Sequence, residues 1–440
     1  MTEPAAIATA APLAFAQQYL WFLLQYPDSG PARFNANLVI EWFGELDARI
    51  LGEALAAIEN RHEALRTRLR IVKGHPMQLV VEPSAEATPF LDLSHLPKAE
   101  REAAFEDVVR EEERRPLDLA RGPTLRKLLV RLGPDEHVLL WTASHANVDA
   151  WSLRTIVREL RELYTARARE RPARLPPLPT RYIDCARAQR TTAPQPRHIA
   201  FWRASLGDRA CYEPPHRQPR PARASVEQVQ SIAISPELNA RIDATCRALS
   251  CTRFSIFFAA FGLVAHRWSG TTDLVALIAS AQRDAHTEHL VGSLADVLPI
   301  RLVLSPGHNA AELVRAAQTA VLAGLIHEMP LRRIEEATGR TYRFTFAITD
   351  HVPFQQADGD PGRRCVHRPD ALEMATGHMA DIAFRASSLP MRLYRMDLVF
   401  LLRSEVVVCA YQPDLFSAET IEQVLRWLLE ALETLTQAEC

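Results

Sequence analysis

The stretch Val138–Leu163 reads VLLWTASHANVDAWSLRTIVRELREL, and its character changes twice along its length. It opens on a continuous apolar run, Val138 to Trp141, which is too short for a helix and reads as a strand buried on both faces. It closes as an amphipathic helix, with Leu153, Ile156, Val157, Leu160, Leu163 and Tyr164 at helical spacing. Between the two lies a short polar loop, Ser144-His145-Ala146-Asn147-Val148-Asp149-Ala150. A loop that leaves a buried strand and enters a helix holds its side chains on a rigid base and can still present them to a cleft. Asp149 and Ser152 are side chains suited to cap the helix N-terminus.

The loop carries one group able to move protons near neutral pH, His145, and a carboxylate four positions on, Asp149. An imidazole titrates near 6.5 when unperturbed, so it can act as a base under cellular conditions. A metal reading lacks a third ligand, because no further His or Cys lies nearby in the sequence.

The rest of the chain bounds the answer. At 440 residues two core-bearing domains are expected. Apolar residues make up 48% and charged ones 24%, an ordinary composition for a soluble protein. A net charge of −2 gives no argument for nucleic acid as a partner. The seven cysteines are scattered and form no Cys-x-x-Cys pair, which argues against a zinc site or a disulfide framework and suits a reducing cytoplasm. No basic residue precedes Arg33, so the N-terminus lacks the pattern of a signal peptide. The longest apolar stretch, near Phe254–Ala265, falls short of the roughly 20 residues that span a bilayer and reads as a core helix.

In chain order, Pro12–Tyr26 reads as an apolar helix, Phe34–Phe43 as a strand and Leu46–Arg68 as one long amphipathic helix. The charges of its last turns, Arg61 to Arg68, read as a solvated face with a structural role, His62 included. Leu69–Val81 reads as a strand pair, Glu100–Arg115 as a charged helix, and Leu125–Leu132 as the partner of Val138–Ala143. The Arg- and Pro-rich segment Ala166–Pro179 is the best linker, which places the boundary near residue 180. The second half repeats the first in kind, with helices over Ser235–Leu249 and Phe254–Arg267, a buried strand at Leu274–Ile278 and a terminal helix to about Leu435. Such a mixture fits an α/β architecture.

The loop resembles the active-site motif of condensation domains of nonribosomal peptide synthetases, His-His-x-x-x-Asp-Gly. His145 and Asp149 keep the second His and the Asp, while Ser144 and Ala150 replace the first His and the Gly. Ser-His-x-x-x-Asp-Ala is similar to the variant of terminal condensation domains that release their chains. Further segments resemble family motifs in the family order: the start of the first helix, Arg61–Arg68, Tyr182-Ile183-Asp184, Val291–Arg301, Ile326–Pro330 and Phe344–Asp350. The resemblance spans about Pro12 to Leu435. It implies two chloramphenicol-acetyltransferase-like subdomains, 1–180 and 181–440, arranged as a V with the active site at their interface.

The resemblance also implies roles. His145 is the catalytic base. Arg283 pairs with Asp149, which shapes the loop and takes no part in proton transfer; a bidentate Arg is a suitable partner for a buried carboxylate. Ser144 and Ser152 support the site, and Ser152 is either a cap, the reading preferred, or an oxyanion donor. Asp296 and Asp350, acidic where the family usually has Asn, are candidates to hold the acceptor, with Asp350 equally suited to a turn. The expected enzyme is a cytoplasmic, monomeric acyltransferase that stands alone and needs no bound cofactor or metal. Its donor is an acyl thioester on the phosphopantetheine arm of a separate carrier protein, its acceptor a small alcohol or amine, and the outcome release of the chain. Elongation by peptide-bond formation and a non-catalytic recruitment module are the alternatives.

Overall fold

The computed structural model describes residues 7–25, 34–83, 87–216, 227–343, 346–350, 372–388, 397–403 and 405–437. In chain order the elements begin with β1 (Ile7–Pro12), α1 (Phe15–Leu24), β2 (Asn35–Phe43) and α2 (Ala48–Arg61). A 3-10 turn, Glu63–Arg66, leads into β3 (Thr67–Val72) and β4 (His75–Val81). Next come β5 (Phe90–Asp92), α3 (Lys98–Arg114), β6 (Leu125–Gly133), β7 (Glu136–Ser144), α4 (Ala150–Ala168), α5 (Tyr182–Thr191) and α6 (Pro196–Leu206). They are followed by β8 (Gln228–Ala233), α7 (Pro236–Leu249), α8 (Arg253–Ser269), β9 (Asp273–Ser280), β10 (Asp296–Val303), α9 (Ala310–Ile326) and α10 (Leu331–Thr338). The last are β11 (Ala347–Asp350), β12 (Leu372–Met379), β13 (Ile382–Ser388), β14 (Leu398–Leu402), β15 (Val406–Tyr411) and α11 (Ala418–Thr436).

The chain forms two compact units, and they interleave in sequence. The first runs to Ala193 and takes in Arg283–Ala295 and the β12–β13 hairpin; the second holds the other described elements. A single cut near residue 180 therefore does not describe the division. Helix α5 lies beyond the Pro-rich linker yet belongs to the first unit, because Tyr182 and Ala186 are buried in its core. Pro and Arg content marks a segment without regular structure; it does not say whether the chain changes unit there.

In the first unit a six-stranded sheet has the order β12-β13-β2-β7-β6-β5. Strand β7 is central and antiparallel to both neighbours, Ser144 pairing with Asn35 and Ala143 with Leu125. Its side chains alternate between two cores. Leu139, Trp141 and Ala143 pack with Ile50, Leu51 and Leu55 of α2 and Leu153, Ile156 and Leu160 of α4. Val138 and Leu140 pack on the other face with Phe105 and Val109 of α3. Helices on both faces explain why this strand is apolar without a break. A small sheet, β1-β4-β3, completes the unit.

The expected helix over Leu46–Arg68 is shorter. Helix α2 stops at Arg61, and His62 turns extended with φ −111° and ψ 97°. Thr67 then pairs with Val80 as the first residue of β3. Strand pairing and β-branched Thr67 override the helical spacing of the charges.

The second unit has a mixed sheet, β10-β9-β11-β14-β15-β8, with β11 parallel to both β9 and β14. Helix α8 lies in its core: Ile256 through Phe261 are all buried, and the Phe261 ring meets Phe400 at 4.5 Å between centroids. Among the described residues no single helix is long and apolar enough to cross a membrane.

Candidate active site

Strand β7 delivers His145 at its end, and the loop is fixed before the helix begins. The His145 backbone N–H donates to Phe34 O at 2.7 Å. Ser144 O accepts the N–H groups of Asn147 and Val148 at 2.8 and 3.0 Å, and its buried hydroxyl oxygen accepts that of Ala146 at 3.2 Å. The Asn147 amide donates to Thr67 O at 2.7 Å, tying the loop to β3.

The half-buried His145 ring has its Nδ1 2.7 Å from Val148 O. A carbonyl oxygen only accepts, so Nδ1 carries the proton and Nε2 presents a lone pair. Burial lowers the imidazole pKa, and the Val148 carbonyl and the Asp149 charge oppose that shift without cancelling it. The neutral base therefore prevails at pH 7.

Asp149 is the N-cap of α4, accepting the Ser152 N–H at 2.8 Å. Its Oδ1 also accepts from the Ser152 hydroxyl at 2.7 Å and from Arg283 at 3.1 Å. Its Oδ2 accepts from Arg283 at 2.9 Å, Leu294 N at 3.0 Å and Ala295 N at 2.9 Å. Both partners of the ion pair are almost wholly buried. Burial alone raises the carboxyl pKa; Arg283 and the N–H and O–H donors outweigh it and hold the group below the usual carboxylate range. A carboxylate so fully engaged stays anionic and fixes the loop beside His145.

Ser152 does not cap the helix. It sits within the first turn, fully buried, and its hydroxyl oxygen accepts the Gly292 N–H at 3.0 Å. Tyr182 is buried beneath the same segment and donates its hydroxyl to Ser293 O at 3.0 Å. Trp151 Nε1 donates to Glu288 O at 2.7 Å. Sequence reading missed these links, because nothing in the spacing joins residues 151–152 or 182 to 288–293.

His62 is not on a solvated face. It is buried, with Nε2 2.8 Å from Glu159 of α4, and Arg61 also reaches that carboxylate at 3.2 Å. Burial raises the Glu159 pKa, but His62 and Arg61 lower it further than burial lifts it. The buried His62–Glu159 pair, with the partly exposed Arg61, joins the end of α2 to the middle of the helix that Asp149 caps.

Asp296 lies in the second unit at the start of β10. Its carboxylate accepts Leu331 N at 3.0 Å, at the beginning of α10, and its own neighbour Val297 N at 2.9 Å. It is thus engaged as a helix anchor. Burial, helped by Glu335 and Glu328, raises its pKa to about 6 against those two donors. Asp350 ends β11 opposite Leu402, and its side chain lies outside the described residues. Phe344 and Thr345, from the same motif, also lie outside them. Among the described residues no group of three His, Cys, Asp or Glu side chains is arranged to hold a metal ion.

A family model, Condensation domain, matches residues 7–438. Chondramide synthase cmdD of Chondromyces crocatus is 31% identical over 98% of this chain and 11% of its own length. Phosphinothricin tripeptide synthetase PhsC of Streptomyces viridochromogenes is 31% identical over 79% of this chain and 33% of its own. The chain thus spans a third or less of these curated relatives. Among solved structures, the SgcC5 protein of Streptomyces globisporus superposes with a TM-score of 0.77 at 25% identity, covering 97% of this chain and 98% of that one. Its crystal contains (R)-(-)-1-(2-naphthyl)-1,2-ethanediol and sucrose. The first condensation domain of the calcium-dependent antibiotic synthetase, with a substrate analogue, shares the fold at a TM-score of 0.77 and 19% identity.

Proposed function

This chain belongs to the condensation-domain family of nonribosomal peptide synthetases, acyltransferases that form amide or ester bonds from carrier-bound substrates, and we propose that it releases an acyl chain onto a free alcohol or amine. The observation that carries the reading is the state of His145: Nδ1–H is spent on Val148 O and Nε2 is a free base beside a carboxylate that is fully occupied. The donor is an acyl thioester on a carrier protein's phosphopantetheine arm. The acceptor hydroxyl or amine attacks the thioester carbonyl carbon while Nε2 takes its proton. The tetrahedral intermediate then expels the phosphopantetheine thiolate, which recovers that proton from His145. The products are an ester or amide and the free thiol. The thioester is already activated, so positioning and one base account for the chemistry.

Two features support release over elongation. The loop is Ser-His-x-x-x-Asp-Ala, like the variant of chain-releasing members. The SgcC5 protein, which the chain matches over nearly its whole length, was crystallised with a free 1,2-diol, a soluble molecule of the acceptor class. On this reading the enzyme acts as a monomer.

The test supplies the enzyme with acyl-loaded carrier and either a free or a carrier-bound acceptor, read by intact-protein mass spectrometry. Product from the free acceptor is expected. Turnover confined to the carrier-bound acceptor returns the enzyme to elongation, and none with either points to a recruitment module. His145→Ala is expected to lower turnover by about 10²–10⁴ with the fold retained. Because burial depresses the His145 pKa, the acid limb of kcat/KM is expected below 6.5.

A further inference from the structure

We propose that Tyr182 is a positioning residue for the base: its hydroxyl fixes the Ser293 peptide, and through it the two backbone N–H groups that hold Asp149 beside the His145 loop. The inference rests on the assignment of His145 as the base. Tyr182 opens α5 and is fully buried. Its hydroxyl donates to Ser293 O at 3.0 Å. The next two residues, Leu294 and Ala295, donate their N–H groups to Asp149 Oδ2 at 3.0 and 2.9 Å. Asp149 follows directly on Val148, whose carbonyl holds His145 Nδ1–H at 2.7 Å. Every step of this path is a hydrogen bond or an adjacent peptide.

The Tyr182 ring also dictates the residue above it. A Cβ on Gly292 would lie 2.1 Å from Tyr182 Cδ2 and 2.6 Å from Cε2, closer than atoms can approach. Without a side chain at 292 the segment settles directly on the ring, and the Gly292 N–H reaches Ser152 Oγ at 3.0 Å. Tyr182 therefore acts from below and Ser152 from the side on one short segment, 292–295. That segment contributes two of the donors that keep Asp149 anionic. A hydroxyl placed only to satisfy itself needs no such alignment; this one sets the angle at which a pair of N–H groups meets the carboxylate.

The test is Tyr182→Phe, which deletes the hydroxyl and keeps the ring. A loosened segment lets the His145 loop shift and admit water. We expect kcat to fall about ten- to a hundredfold with KM within about twofold, as for a base moved slightly from its working geometry. The His145 titration, followed by NMR of the ring carbon, is expected to move up toward the ordinary value of about 6.5 as burial is relieved. Tyr182→Phe combined with Ser152→Ala is expected to cost less than the product of the two single effects, since both act on one segment. Wild-type kcat and an unmoved His145 titration in Tyr182→Phe would overturn the inference. Should that variant not fold, hydrogen exchange in the wild-type chain decides: protected Leu294 and Ala295 amides support the link, and exchange as fast as in open solvent rejects it. His145→Ala run in the same assay separates the two readings. Its retaining turnover would remove the base assignment, while the titration and exchange still judge the Tyr182 link.

Discussion

Two aspartates, one in each unit, hold the first turn of a helix by accepting its N–H groups, and have opposite fates. Asp149 caps α4 and accepts from Arg283, the Ser152 backbone and hydroxyl, and the N–H groups of Leu294 and Ala295. Asp296 anchors α10 through Leu331 N and, among the described residues, otherwise accepts from Val297 N. Burial pushes both carboxyl pKa values up. For Asp149 a guanidinium and a shell of donors reverse the shift; for Asp296 the neighbouring Glu335 and Glu328 add to it, and the value reaches about 6. The depth of a carboxylate does not set its charge. The number of donors aimed at it, and the sign of the nearest ionised group, do.

The sharpest way to break the contrast is to take away the cation. Arg283→Met leaves Asp149 buried without a counter-charge and is expected to cost about 3–5 kcal/mol in denaturant unfolding. Asp149 has a depressed folded-state pKa, so its stabilisation is complete above the unfolded value of about 3.9 and fades as pH falls through the folded value. The gap between wild type and Arg283→Met should accordingly narrow on acidification below about pH 4. A gap that stays constant with pH would mean the pair contributes by packing and not by charge.

Ser152→Ala tests a neutral donor in the same shell. It removes one bond to Asp149 and leaves the Gly292 N–H buried without its acceptor. A loss of about 1–3 kcal/mol is expected, with little dependence on pH. An effect near zero would show that the 292–295 segment holds Asp149 without the serine.

Asp296→Asn should give the smallest effect and the opposite pH trend. A carboxyl whose folded-state pKa is raised from 3.8 to about 6 binds a proton more tightly when folded. Wild-type stability therefore falls as pH rises from about 4 to 6, by at most about 3 kcal/mol, and levels off above that. Asn keeps an acceptor for Leu331 N and has no charge to develop, so the variant should lose less over the same range. Its difference from wild type at pH 5 should stay within about 1 kcal/mol. Parallel pH curves for the two proteins would show that Asp296 is ionised throughout.

Much of the site was legible because its main parts are local. The apolar run Val138–Trp141, the polar loop and the spacing of Leu153, Ile156, Val157 and Leu160 lie within one stretch, and together they specify strand, loop and helix around His145 and Asp149. The motif order pointed to Arg283, which the fold brings to 2.9 Å from Asp149. His62 was legible only in part: its charged surroundings suggested a solvent-facing helix, whereas it is buried against Glu159, 97 residues away in sequence. Ser152 reads as a cap in the sequence because capping is the commonest local use of a serine at a helix start.

The sequence by itself determined the α/β character and the strand–loop–helix that carries His145 and Asp149. Periodicity and local chemistry act between residues a few positions apart, and those are visible in a one-dimensional string. Only the tertiary structure decided which residues hold the loop in place. The interleaving of the two units returns Arg283–Ala295 to the first one, beneath α4 and over Tyr182. Whether a serine hydroxyl caps its own helix or bridges to Gly292, and whether a carboxylate is charged, depends on what the fold places within about 3 Å of it. That proximity is the outcome of packing the whole core, and no short segment carries it.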